Sequence, residues 1–66
     1  MIKGSNDRIL IDGFLDVLVI LDDFVMLLYP TYNLEIKGIG LKVAAFTKSE
    51  LILFGQIMNV EFVYHV

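Results

Sequence analysis

Cysteine and tryptophan are missing from the 66 residues, and proline and histidine occur once each, as Pro30 and His65. Without thiols there are no disulfides and no thiolate-held metals. A single imidazole beside the C-terminus reads as a solvated side chain rather than a ligand. Basic residues are also few: Lys3, Arg8, Lys37, Lys42 and Lys48 are scattered among eight acids, for a net charge of −3. Nucleic acid and anionic membrane surfaces call for clustered Lys and Arg, so no nucleic acid partner is expected. A chain this short buries only about 60% of the surface it exposes when unfolded. Small folds therefore need a staple, and the one left is a second subunit.

What is abundant is apolar: 58% of the residues are hydrophobic, and mean hydropathy is +0.77. A membrane helix would need about 20 nearly uninterrupted apolar residues. The most apolar stretch, Phe14 to Tyr29, contains Asp16, Asp22 and Asp23, and one central Asp already costs about 2.5–3.5 kcal/mol. Direct membrane insertion is not expected. The N-terminal MIKGSNDRIL runs from one lysine into polar residues, unlike a secretory signal, so the chain reads as soluble and cytoplasmic.

A weak internal repeat organises the sequence. ILIDG at 9–13, LEIKG at 34–38 and LILFG at 51–55 each place apolar residues four and two positions before a glycine, the period of a strand. Unequal spacing between these units excludes a fixed-period solenoid. The pattern describes a strand that bends at Gly13, Gly38 and Gly55 and then continues. Val17–Leu21 and Phe24–Leu28 are apolar runs separated by Asp22 and Asp23, a pair suited to a tight turn. Pro30 ends the second run, Asn33 helps turn the chain into LEIKG, and Thr47–Glu50 is a polar loop of hairpin length. Helix competes in two places: a narrow stripe of Asp12, Asp16 and Asp23, and a capping-box match at TKSE. The β-branched Val17, Val19, Ile20 and Val25 favour strands over the first stretch, and Gly55 comes too soon for a helix after the second. The expected fold is all-β, an antiparallel meander or roll of about six or seven short strands. Residues 1–7 form a polar lead-in to one β domain over 8–66.

Motifs for chemistry are sparse. Gly38-Ile39-Gly40 lacks the third glycine of a dinucleotide loop, Val43 standing in its place; a bulge or bend explains it. Asp22 and Asp23 lack the spaced acidic loop that calcium requires. Ser5 and Ser49 have no nucleophile-elbow context. An enzyme is not expected, nor a cofactor.

Alternation places Leu34, Ile36, Leu41 and Val43 inward and Glu35, Lys37 and Lys42 outward. By contrast ILI, VLVIL, FVMLL and LILF are apolar on both faces, more than one small sheet can cover. Large exposed apolar patches mark interfaces. Self-association is expected, with Phe24, Met26, Phe54, Phe62 and Tyr64 as candidate interface residues.

In the order ILIDG, VLVILDDFVMLL, LEIKGIGLKV and ELILFGQIMNVEFVY, the chain resembles the YabP/YqfC-like family of bacterial sporulation proteins over about residues 8–64. The last two blocks carry most of the likeness, following the family's Leu-x-Ile-x-Gly-x-x-Leu-x-Val unit and its Glu-Leu-x-Ile-x-Gly-x-Ile-x-x-Val-x-Tyr ending, with Leu53 at the first Ile and Phe62 at the final aromatic, Tyr64 lying beyond. Val19, Met26, Ala44, Ala45 and Phe54 stand where relatives carry charge, which strengthens the expectation of an oligomer. The resemblance implies a non-enzymatic role in endospore formation, in spore coat assembly or the membrane-associated steps, beside a membrane-embedded partner and at the developing spore's periphery. It supplies no catalytic residues, only the scaffold glycines. The alternatives are an Sm-like RNA-binding ring, loosely suggested by VILDDFVMLL, and a generic protein-interaction module.

Overall fold

The computed structural model describes residues 2–5 and 7–66. The fold is all-β, with six antiparallel strands in one sheet. In chain order they are β1 (Ile2–Gly4), β2 (Arg8–Asp12), β3 (Asp16–Ile20), β4 (Phe24–Leu28), β5 (Tyr32–Phe46) and β6 (Glu50–Tyr64). Their order across the sheet is β1-β2-β6-β5-β4-β3. The hairpins fall where turn chemistry places them. Leu21 N–H donates to Phe24 C=O across Asp22 and Asp23 (2.8 Å), and Tyr29 N–H donates to Tyr32 C=O across Pro30 and Thr31 (2.9 Å). TKSE is a turn: Thr47 Oγ1 accepts from the Glu50 N–H at 3.0 Å, a side-chain cap without a helix behind it.

The strands are not all short. β5 and β6 each run fifteen residues, because glycine lets them change direction without ending the ladder. Their pairing shifts register between Lys37 and Gly38, between Ile39 and Lys42, and between Val43 and Ala45. Gly40 takes φ +62° and Gly55 φ +132°. A Cβ on Gly55 would lie 2.7 Å from the Gly40 carbonyl oxygen, and one on Gly38 would strike the Gln56 carbonyl oxygen. The two long strands therefore cross backbone to backbone at the bend. The Asp22-Asp23 turn docks there too, its carbonyls accepting from Leu41 N–H (2.7 Å) and Gly38 N–H (3.1 Å).

Three sequence expectations need correction. At Gly13 (φ 81°) the chain leaves β2 rather than bending within a continuing strand, and its N–H donates to Ser49 C=O at 3.1 Å. Asn33 is not a turn residue; it lies in β5 opposite Leu28. The polar lead-in contributes β1, paired to β2.

The bend folds one half of the sheet over the other and makes the core. Ile9 and Ile11 of β2, with Leu51 and Leu53 of β6, meet Val25 and Leu27 of β4 and Leu34 and Ile36 of β5. Phe14, Tyr29 and Leu41 complete it. Tyr29 ties the halves together, donating its hydroxyl to the Asp12 carbonyl at 2.7 Å. Burial pushes that hydroxyl's pKa up to about 12, with Tyr32 and Asp12 adding to the shift.

Candidate functional site

β6 has two unequal halves. Residues 50–54 are paired on both sides, to β2 and to β5. Residues 56–64 are paired only to β5, so among the described residues their other edge is open. The register shows which groups face that edge. His65 N–H donates to Thr31 C=O at 3.0 Å, and these two residues extend the pairing in which Tyr64 faces Tyr32. Antiparallel pairs alternate between bonded and non-bonded, so Tyr64, Phe62 and Val60 turn their N–H and C=O groups outward.

The side chains of these three residues lie on the core side. Phe62 is opposite Leu34 and Val60 opposite Ile36, and Leu34 and Ile36 are fully buried. Nothing covers the β6 partners to the same degree: Phe62 is 46% exposed and Tyr64 66%. Tyr32 organises them. Its ring stacks on Tyr29 (4.9 Å between centroids), meets Phe62 edge-on (5.2 Å) and lies 5.4 Å from Tyr64. The site is thus an apolar core face that runs out to an unpaired backbone edge.

Past a bulge at Met58, where Lys37 pairs with Asn59 and Gly38 with Ile57, residues 59–64 pair to β5 without interruption, and there the edge has little of the usual protection. Natural sheets blunt edges with Lys, Pro, bulges or very short strands. Glu61 is the one charged residue of 56–64, and neither Lys nor Pro occurs there. The other edges are better guarded: β1 is three residues long, β3 is five residues with a bulge between Val17 and Val19, and residues 42–46 of β5, paired only to β6, carry Lys42 and a bulge at Ala44.

The five candidate interface residues do not form one patch. Phe62 and Tyr64 line the open edge. Phe24 and Met26 lie on β4, half-buried, opposite Lys37 and Glu35. Phe54 lies on the outer face of β6, with the Arg8 guanidinium 5.7 Å from its ring centre. Gly38 and Gly55 are at the bend, and Gly13 is in the loop after β2. His65 holds the end of the chain, its Nε2 lying 2.8 Å from Asn33 Oδ1, while Asn33 Nδ2 approaches Met26 Sδ at 3.7 Å. Sequence reading missed Tyr29 and Tyr32 as the hub; their aromatic spacing around Pro30 was the available signal. Gly40, read from Gly38-Ile39-Gly40 as part of a bulge or bend, does lie at the bend, with φ +62°. Among the described residues no His, Asp and Glu cluster is suited to a metal ion, and no helix is long and apolar enough to cross a membrane. No family model, curated protein or solved structure matches the chain.

Proposed function

We propose that this chain is a non-enzymatic assembly subunit that joins copies of itself by adding strands along residues 56–64 of β6. The observation that carries the reading is the unguarded edge, with outward backbone groups at Val60, Phe62 and Tyr64 beside exposed aromatic side chains. Backbone pairing supplies the attraction, and the apolar side chains supply the area that must leave water. Two β6 edges running antiparallel about a two-fold axis satisfy each other's groups without any rearrangement.

The setting we propose is endospore formation, in coat assembly or the membrane-associated steps around the developing spore. The subunit works from the cytoplasm, at the spore's periphery, beside a membrane-embedded partner. The support is the resemblance of LEIKGIGLKV and ELILFGQIMNVEFVY to sporulation proteins.

Sedimentation velocity at micromolar concentration tests the assembly. The expected result is a species heavier than the 7.5 kDa monomer, reduced by Phe62→Lys and by Tyr64→Pro. Proline at position 64 removes an N–H that the register turns away from β5, so a loss of assembly without a loss of fold marks the edge as the contact. A wild-type monomer would overturn the reading. Affinity capture from sporulating cells tests the setting: a membrane protein recovered with the wild type supports it, and recovery of none removes it.

A further inference from the structure

The outer face of β1, β2 and the first half of β6 is a second surface, distinct from the edge. Ile9, Ile11, Leu51 and Leu53 are buried in the core, so by strand alternation Arg8, Leu10, Asp12, Glu50, Ile52 and Phe54 point the other way. The register sorts this face into three rows. Arg8, Phe54 and Lys42 form the first. Lys3, Leu10, Ile52 and Ala45 form the second, and Asp12 and Glu50 the third. Charge therefore changes sign along the strands, from cations at one end, across a middle that is apolar except for Lys3 at its β1 end, to carboxylates at the other. The first and third rows are four residues apart along β2, roughly 13 Å.

Two grooves flank Leu10 on this face. One, of about 390 Å³, is lined by Lys3, Gly4, Ser5, Arg8 and Leu10. The other, of about 70 Å³, is bordered by Ala45, Phe46, Glu50 and Ile52. Phe54, 43% exposed, sits in the first row between Arg8 and Lys42. An apolar patch with opposite charge at its two ends fits a copy of itself turned end for end.

We propose that this face binds the same face of a second copy of this chain. The two-fold axis lies in the contact plane and across the strands, so that the Arg8 and Lys42 row of each copy meets Glu50 and Asp12 of the other. Leu10, Ile52 and Ala45 pack at the centre. Charge complementarity at such a contact fixes orientation and register more than it supplies raw affinity. The contact does not rest on the β6 edge. A chain with both surfaces extends past a dimer.

A charge-exchange experiment tests it by sedimentation equilibrium, in a Tyr64→Pro background that silences the edge, with Phe62→Lys as a second background in case the first fails to fold. In either background the chain is expected to dimerise reversibly. Lys42→Glu and Glu50→Lys each place like charges together twice in the dimer, and each should weaken association at least tenfold. Mixing the two single variants sets the introduced glutamate of one chain against the introduced lysine of the other at one contact. At the second contact the native Glu50 and Lys42 still meet, so the mixture should recover near-parental association. The double variant in one chain should recover it too. Single variants that associate like the parent, or a mixture no better than its components, would overturn the proposal, as would a parent that stays monomeric in both edge-silenced backgrounds.

Discussion

The two halves of β6 are built from similar residues and meet different fates. In the first, Leu51 and Leu53 are shut away between β2 and β5, almost without exposure. In the second, Phe62 and Tyr64 face the same side of the sheet and remain largely in water. Hydrophobicity does not separate them. What separates them is the number of neighbouring strands: β2 begins only at Arg8, opposite Phe54, and so covers residues 50–54 alone. The second half of β6 is thus a core strand with one neighbour missing.

The sharpest way to break the contrast is at the bend that creates it. Gly55→Val should be the most damaging single change, costing about 3 kcal/mol or more, because a side chain there meets the Gly40 carbonyl in a conformation L-residues rarely adopt. Gly40→Ala is the control. Nothing lies within 4 Å of its Cβ position, so the cost should be limited to the left-handed backbone, about 1–2 kcal/mol. Urea unfolding of both measures the difference, and equal losses would show that contact between the crossing strands is not what matters.

The next effect compares the halves directly. Leu53→Ala removes a fully buried side chain and should cost about 2–5 kcal/mol. Phe62→Ala should cost the monomer about 1 kcal/mol or less, as its ring is already half in water, yet it should weaken assembly more than Leu53→Ala weakens it per folded chain. The two readouts, denaturant midpoint and sedimenting mass, should therefore rank the variants in opposite order.

The smallest expected effect is at Tyr29. Replacing it with Phe deletes the hydrogen bond to the Asp12 carbonyl, for about 1 kcal/mol at neutral pH. The wild type should also have an alkaline limb. The folded pKa is about 12 against 10.0 unfolded, so the neutral hydroxyl favours the fold. That contribution is complete below pH 10 and is lost as pH rises toward 12. Tyr29→Phe should lack this limb in a thermal-melt series from pH 9 upward; an identical limb would assign it to another group.

The sequence was most legible where order is local. All six aliphatics marked by the repeat, Ile9, Ile11, Leu34, Ile36, Leu51 and Leu53, are in the core, because a two-residue period and a buried sheet face are the same fact. The turns at Asp22-Asp23 and Pro30 were legible for the same reason. β1 was not, since three residues including a glycine carry no periodic signal. The open edge was not, because it depends on where β2 begins against β6, with Arg8 opposite Phe54, a relation between segments more than forty residues apart in places. The scatter of Phe24, Met26, Phe54, Phe62 and Tyr64 has the same origin: composition says that a side chain is apolar, and only register says which surface it joins.

The crossing at Gly38, Gly40 and Gly55 has one more consequence. Main chain meets main chain there, Gly55 against the Gly40 carbonyl and Gly38 against the Gln56 carbonyl, so the angle between the two leaves of the protein is set at the corner by peptide geometry. Surface residues on either leaf are free to drift over evolutionary time without tilting the frame. The corner acts as a fixed joint, and the leaves as panels that natural variation can repaint.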